Sequence, residues 1–280
     1  MGLLRRRERD QAPPLDEVLH GAQLPTFPQV ATTALERLGD PEVDMREVGD
    51  LLVADPAVSA QLLSMVNSAA SGVRRTVESV HQAASLLGTA QLESTLIAVG
   101  VRQALPETTI TGHDSRAFWM AAARRATIAS AFAERVVPST RSETFTAALL
   151  QDMAVPLLAA ARPDYDRVID DWRSGKADLP SLEEDAFGSD HALVAGQMCE
   201  AWKFPANLRT AIESHHHDPG DSSGIPFVQL VSVLRDVEDD DDRLRLIELA
   251  HSTLGLAPED TEVLIVEAEG DAAAIAALLS

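Results

Sequence analysis

The sequence predicts an all-α fold. Apolar residues recur at helical spacing along most of the chain, and N-cap residues and glycines mark the starts and ends of these segments. No window shows the sustained two-residue alternation of a half-buried strand; residues 263–266 come nearest, and their flanking glutamates leave that stretch ambiguous. The chain has 280 residues, 45% of them hydrophobic, which allows one large domain or two modest ones with a sizeable core.

The N-terminal part is predicted to form a lobe of five helices between residues 25 and 105. Residues 1–20 are polar and contain prolines, so we expect a flexible segment ahead of the lobe. Aspartate and serine are good N-caps, proline suits the first helical turn, and glycine ends a helix. The residues that mark helix starts here are Pro28, Asp44, Asp55-Pro56 and Ser79, and those that mark helix ends are Gly39 and Gly88.

Residues 106–114 form the best candidate domain boundary, because proline, glycine and threonine interrupt the helical periodicity there. The predicted organisation is a flexible segment at 1–20, a helical lobe at 21–110, a helical bundle at 111–219 and a helical extension at 220–280. Beyond the boundary, helices are predicted at 115–136, 142–160, 164–174, 190–203, 205–217, 243–254, 258–268 and 271–279.

The charge balance argues against direct binding of nucleic acid. The chain has 23 Lys and Arg against 44 Asp and Glu, a net charge of −21, and phosphate binding needs clustered cations. Aromatic residues make up only 4%, so stacking platforms for single strands are not expected. The internal basic pairs Arg74-Arg75 and Arg124-Arg125 are interpreted as solvated surface residues, although they could meet a phosphate or an acidic partner.

The chain is expected to be a soluble cytoplasmic protein. Its one cysteine, Cys199, excludes both an internal disulfide and a cysteine-based zinc site, and suits a reducing compartment. The N-terminus has no apolar stretch long enough for a signal peptide, and no run approaches 18 apolar residues, so membrane insertion is not expected.

The densest set of reactive side chains comprises Asp152, His191 and the run His215-His216-His217. Carboxylate and imidazole ligands suit zinc, manganese, iron or magnesium, and helical bundles build such sites from facing helices. Each residue also has a structural interpretation. The histidine run at a helix end is favoured by the helix dipole, His191 could close a cap after Ser189-Asp190, and Asp152 could bond backbone groups.

A formal Gly-x-Ser-x-Gly match occurs at residues 220–224. A nucleophile elbow needs an apolar strand before the serine and a helix after it, whereas this match follows His217-Asp218-Pro219 in a loop-like stretch. We therefore do not interpret Ser222 as a nucleophile.

Two segments, read together, resemble the HDOD domain, an output module of bacterial signalling proteins related to the HD phosphohydrolases. The resemblance runs from about Leu24 to Pro219 and predicts a five-helix lobe packed against an HD-like bundle. Its first segment contains Leu24-Pro25, Asp55-Pro56, Leu62-Leu63, Asn67-Ser68, Gly72, Ser79, Ala83 and Leu87-Gly88; its second contains Phe187-Gly188, Asp190-His191, Gly196, Trp202, Pro205 and His215-His216. Of these, Asp55, Pro56, Asn67, Ser68, Gly88, Trp202 and Pro205 are interpreted as structural, with Asn67 and Ser68 satisfying backbone groups where a helix ends.

The resemblance also implies that the metal site of the active relatives is incomplete in this chain. Those relatives use a histidine, a His-Asp pair, further histidines and a late aspartate. Here Met120-Ala121-Ala122 stands where the first histidine would be, Gln151-Asp152 replaces the pair, and no carboxylate follows Phe227 until Asp236. Asp152, His191, His215 and His216 are then remnants, and retention of a metal that activates water is not expected.

The sequence therefore predicts a non-catalytic regulatory module, without cofactor, that binds a signalling protein or a small ligand in the former active-site cleft. The alternative is a metal-dependent phosphohydrolase acting on a nucleotide or cyclic dinucleotide, with Asp152, His191 and His215 as ligands. A third reading, a nucleic-acid-linked regulator using the two arginine pairs, is disfavoured by the net charge.

Overall fold

The computed structural model confirms the all-α prediction. It describes residues 13–68, 75–106, 115–220 and 224–279, and these residues contain helices and turns but no strand. A short 3-10 helix (Pro138–Thr140) precedes the seventh α-helix. The α-helices are α1 (Leu15–Val18), α2 (Gln29–Leu38), α3 (Met45–Val53), α4 (Pro56–Val66), α5 (Val80–Ala104), α6 (Ser115–Val136), α7 (Arg141–Leu150), α8 (Val155–Ala161), α9 (Tyr165–Arg173), α10 (Leu179–Phe187), α11 (His191–Ala201), α12 (Ala206–Glu213), α13 (Pro226–Val231), α14 (Asp240–Leu254) and α15 (Pro258–Leu279).

Helices α2 to α5 form the N-terminal lobe, with α2, α3 and α4 packed on α5. Gly88 divides α5 into two helical segments, because its φ of 71° lies in the left-handed region that glycine tolerates. With this division the lobe has the five predicted helices. At the start of α4, Asp55 accepts hydrogen bonds from the amides of Ala57 and Val58 at 2.9 and 3.1 Å, as an N-cap does.

Asn67 and Ser68 form hydrogen bonds with backbone groups at the end of α4. The Asn67 amide group donates to the carbonyls of Leu63 and Val77, and its side-chain oxygen accepts from the Val77 amide at 2.7 Å. Ser68 Oγ donates to the carbonyl of Met65 at 2.7 Å. Asn67 thus joins the end of α4 to the chain that leads into α5.

Asn67→Ala is expected to lower the free energy of unfolding by about 1–3 kcal/mol, because it leaves the partly buried Val77 amide and carbonyl without their partner. Chemical denaturation with and without the substitution measures this difference. The matched control is Asn207→Ala, which removes an exposed hydrogen bond to Glu143 and is expected to cost about 0.5 kcal/mol or less. Equal losses for the two variants would contradict the assigned role of Asn67.

Residues 13–20, the described part of the segment predicted to be flexible, pack against the bundle. Residues 13–20 include α1, whose Val18 and Leu19 are each 1% exposed. Arg162 Nε donates to the carbonyl of Val18 at 2.7 Å, and Gln197 donates to that of Pro13. Buried apolar residues and long-range hydrogen bonds therefore fix this segment to the bundle.

Helix α6 is the central helix of the bundle, and α7, α13 and α15 pack against it. The predicted extension 220–280 is therefore part of the same body: α13 is buried almost throughout, and α15 lies along α6 and also contacts α4. The two helices predicted at 258–268 and 271–279 form one continuous helix, which includes residues 263–266.

An aromatic cluster joins the lobe to the bundle. The Phe27 ring lies 5.5 Å from that of Trp202 and 5.2 Å from that of Phe204, between centroids. Trp202 Nε1 also donates to the carbonyl of Pro25 at 3.1 Å. Gly100 of α5 also approaches Phe27 so closely that a Cβ there would lie 2.1 Å from the Cζ atom of the ring.

Two helical stretches, Val80–Ala104 and Pro138–Ala161, are long and apolar enough to cross a membrane by length and composition alone. The second is 72% buried inside the protein and is interrupted between α7 and α8. Buried core helices pass the same test, so these stretches are weak evidence for a membrane span.

Some predictions fall outside the described residues. These are the residues 107–114 of the predicted boundary, Arg74 of the first arginine pair, Gly72 of the resemblance, and Ser222 of the Gly-x-Ser-x-Gly match.

Candidate metal centre

Asp152 lies in a turn between α7 and α8, where the sequence analysis predicted one continuous helix over 142–160. The break has a local cause. Pro156 stands in the first turn of α8 and has no amide to donate to the carbonyl of Asp152, as a continuing helix would require. The turn exposes the Asp152 carboxylate to neighbouring helices instead of to one helix face.

The histidines come from two other places in the bundle. His191 is the first residue of α11, and Asp190 supplies the N-cap by accepting from the Leu193 amide at 2.7 Å. The capping role considered for His191 is thus filled by its neighbour. His215 and His216 follow the end of α12, and His217 is exposed beside them.

These elements bring Asp152, His191, His215 and His216 together. Asp152 Oδ1 lies 3.3 Å from the Nε2 atoms of both His191 and His215, which are 3.2 Å apart. His216 Nε2 lies 2.9 Å from His191 Nε2. Each residue offers one ligand atom, and these four atoms lie within 4.8 Å of one another. A tetrahedral zinc site with bonds of about 2.0–2.1 Å has ligand separations of about 3.3 Å. The donor atoms of Asp152, His191 and His215 have these separations, and His216 offers a fourth atom nearby.

Hydrogen bonds fix the orientation of two imidazoles. His191 Nδ1 lies 2.6 Å from Glu183 Oε2, and His215 Nδ1 lies 2.6 Å from the carbonyl of Ile212. Since the Nδ1 protons have these acceptors, Nε2 of each ring is the atom presented to the centre. A carboxylate or carbonyl behind a histidine is the usual support of a metal ligand.

Charge at the centre is compensated by protein groups. Burial opposes ionisation of Asp152, but the Arg125 guanidinium and hydrogen bonds from His191 and His215 outweigh it and hold the pKa of Asp152 well below its usual range. Burial would lower the pKa of His191, but the carboxylates of Glu183 and Asp152 raise it well above its usual value. Burial and the two neighbouring imidazoles lower the pKa of His216.

The second arginine pair, Arg124 and Arg125, is buried, so its interpretation as solvated surface residues is wrong. Arg124 and Arg125 are 8% and 4% exposed. Arg125 donates to Asp152 Oδ2 and to the carbonyl of Leu234, and Arg124 donates to the carbonyl of Arg235. The partner of Asp152 is 27 residues away along the chain, so local sequence could not identify it.

The sequence analysis also missed Glu183 and Tyr165. Both are fully buried; the Tyr165 hydroxyl donates to Glu183 Oε1, and Glu183 Oε2 accepts from the amide of His191 at 2.8 Å. Glu183 lies on α10, a helix that was not predicted. Asp178 is the N-cap of α10 and accepts from the Ser181 amide at 3.0 Å, and Pro180 lies in the first turn. These features of the N-terminus could have indicated the helix.

Gln151 and Asp236, the described residues nearest in sequence to the missing metal ligands, do not join the cluster. Gln151 is 2% exposed, and its Oε1 has no hydrogen-bond partner. Asp236 forms an ion pair with Arg173 at 2.5 Å and is not part of the cluster. The four-residue donor set therefore contains no further carboxylate.

A cavity of about 540 Å³ opens beside the centre. Asp152, His191 and His216 line it together with Arg125, and it extends past Trp172 towards the loop before α14. A molecule in this cavity would reach three of the four residues of the cluster.

The sequence profile of the HDOD domain matches residues 24–218, which include both segments of the resemblance and the whole four-residue cluster. The chain belongs to the HDOD domain family. The matched residues span both the N-terminal lobe and the bundle.

Solved structures share this HDOD fold. A protein from Shewanella amazonensis, provisionally described as a phosphohydrolase, has a TM-score of 0.74 at 21% identity and covers 96% of this chain and 99% of its own. A protein from Marinobacter aquaeolei, provisionally described as a signal transduction protein, has a TM-score of 0.68 at 21% identity; the match covers 95% of this chain and 61% of that one.

A curated relative, an uncharacterized protein of Treponema pallidum, is 23% identical over 199 residues. The match covers 69% of this chain but only 38% of the relative, which is therefore a much longer protein. The HDOD membership supports a regulatory or HD-related role.

Proposed function

We propose that this HDOD chain is a non-catalytic signalling module, and that its histidine–aspartate cluster is a structural centre. The observation that carries the proposal is the closed donor set. Hydrolytic metal sites have about three protein ligands and an open position for water, whereas structural zinc sites have four protein ligands. Here Asp152, His191, His215 and His216 supply four donor atoms within 4.8 Å of one another, three of them 3.2–3.3 Å apart.

Two further features support a structural centre. Arg125 donates a hydrogen bond to Asp152 Oδ2, which leaves Oδ1 of this carboxylate for an ion. Gln151 stands beside Asp152 where active relatives are expected to have an imidazole, and a neutral amide is a poor ligand. A divalent ion held by the four residues would supply positive charge and a link between the α7–α8 turn, α11 and the segment after α12.

The signalling assignment rests on membership of the HDOD family and on likeness to the Marinobacter protein. The module would act by binding a protein partner rather than by turning over a substrate. Cys199 is buried and is not in a disulfide, which suits the reducing cytoplasm of a bacterium.

The alternative, a metal-dependent phosphohydrolase, is favoured by one observation: the 540 Å³ cavity is lined by Asp152, His191 and His216. Metal analysis and a hydrolysis assay separate the two functions. Purified protein, loaded in turn with zinc, manganese and iron, is incubated with bis(p-nitrophenyl) phosphate and with a cyclic dinucleotide.

The proposal predicts at most one tightly bound ion per chain and no hydrolysis above that of the Asp152→Ala variant. Hydrolysis of either compound that Asp152→Ala abolishes would overturn it in favour of the enzyme. Asp171→Ala is the control, because Asp171 pairs with Lys176 on the surface, outside the cluster.

Glu183→Gln is expected to weaken zinc binding by about 10–100-fold, because an amide has one oxygen for the three donors that Glu183 accepts. Competition with a chromophoric chelator measures the affinity. Asp185→Asn, an exposed position on the same helix, is the control and should leave the affinity unchanged. Equal zinc affinity for both variants would contradict the supporting role of Glu183.

A further inference from the structure

A second cavity lies where the lobe, the bundle and α15 meet. Its volume is about 270 Å³, and its walls come from α4, α5, α6, α7, α15 and the short 3-10 helix. None of the residues of the metal centre lines it. A ligand in this cavity would contact the N-terminal lobe and the bundle at the same time.

The polar part of the wall consists mainly of hydroxyl groups and one cation. No acidic residue lines the cavity among the described residues, although the chain has 44 Asp and Glu against 23 Lys and Arg. Arg141 is the cation, and its Nε donates to Ser130 Oγ at 3.3 Å. The hydroxyl-bearing residues of the wall are Ser68, Ser94, Thr95, Ser130, Ser139, Ser142 and Thr146.

Arg141 lies where the 3-10 helix continues into α7, and its amide donates to the carbonyl of Pro138. A guanidinium with hydroxyls beside it forms a favourable setting for an anionic group. Arg141 Nε also lies 3.6 Å from Glu134 Oε2; this carboxylate is 55% exposed, so water screens the contact.

Apart from Gln91, the remaining wall is apolar. It is formed by side chains of four different helices, namely Met65, Val66, Leu87, Ala98, Phe145, Ile275 and Leu278. A ligand that fills the cavity must therefore combine an anionic group with a hydrocarbon body. The volume lies slightly below the range of about 300–1,000 Å³ for pockets of drug-sized ligands, so the body must be small.

We infer that this cavity is a binding site for a small monocarboxylate with a compact apolar body. The carboxylate pairs with Arg141 and accepts from hydroxyls at the start of α7, and the hydrocarbon part contacts Met65, Ile275 and Leu278. The inference is independent of the proposed function, because it concerns neither the metal centre nor its cavity.

Methyl NMR of the intact chain tests the inference, with octanoate as the probe and octylamine, which has the same hydrocarbon body and a positive charge, as the comparison. Octanoate is expected to shift the methyl signals of Met65, Ile275 and Leu278, with a dissociation constant of ~1 mM or lower. Ile169 and Leu179 line the other cavity and should not shift. Octylamine should bind at least tenfold more weakly.

Arg141→Gln is expected to weaken octanoate binding by about tenfold or more, because it removes a charge-assisted hydrogen bond. The control is Arg135→Gln, an exposed arginine of α6 outside this cavity, which should bind octanoate like the unchanged chain. The inference is wrong if octanoate leaves the three cavity methyls unshifted, if it shifts those of the other cavity instead, or if Arg141→Gln binds it equally well.

Discussion

Asp152→Ala is expected to lower the free energy of unfolding by about 3–5 kcal/mol, measured without metal in the presence of a chelator. The reason is the charge left behind. Arg125 is 4% exposed, and its partner at Asp152 Oδ2 is lost, so a guanidinium remains in the interior without its carboxylate. His191 and His215 also lose their shared contact with Asp152 Oδ1.

The control for this variant is Asp171→Ala, which breaks the exposed ion pair with Lys176 and should cost about 1 kcal/mol or less. The double variant Arg125→Met with Asp152→Leu removes both charges, so it should be more stable than Asp152→Ala. If Asp152→Ala costs no more than Asp171→Ala, the Arg125–Asp152 pair does not stabilise the bundle.

Phe27→Ala is expected to lower the free energy of unfolding by about 3–5 kcal/mol, because it opens a cavity in the junction between lobe and bundle. Phe27 is 6% exposed and contacts the rings of Trp202 and Phe204. Denaturation followed by tryptophan fluorescence and by circular dichroism measures the loss. Leu86→Ala, at a 54% exposed position of the same lobe, should change stability by about 0.5 kcal/mol or less.

Gly100 provides a second test of the same junction. Gly100→Ala places a Cβ 2.1 Å from the Phe27 ring, which must move because this separation is far inside van der Waals contact. Combined with Phe27→Leu, the same glycine substitution should cost less than it does alone, since the smaller side chain leaves room. Additive losses would show that the two residues do not contact each other as described.

Local features of the sequence identified most helix starts, because a cap acts within its own turn. Asp44, Asp55 and Ser79 each accept from an amide two or three residues ahead, and proline or glycine at the boundaries could be read directly. The break in the predicted helix 142–160 could also have been expected from Pro156, but the apolar run around it was read as continuous.

Only part of the candidate site could be predicted from the sequence. Asp152, His191, His215 and His216 were singled out by residue type, and the structure brings them together. Their supporting residues were missed, since Arg125 reaches Asp152 and Glu183 reaches His191 through tertiary contacts. Residue types alone could not distinguish four scattered side chains from one assembled donor set.

Helix α6 lies between the two cavities and has a residue in the wall of each. Arg125 lines the larger cavity and Ser130 the smaller. Five residues of an α-helix span about 7.5 Å along the axis and about 140° around it, so these two side chains lie on different faces of α6. Any axial shift or rotation of α6 must alter both walls together. If the ligands of both cavities favour particular positions of α6, the binding of one changes the affinity of the other, and by thermodynamic reciprocity the effect is equal in both directions.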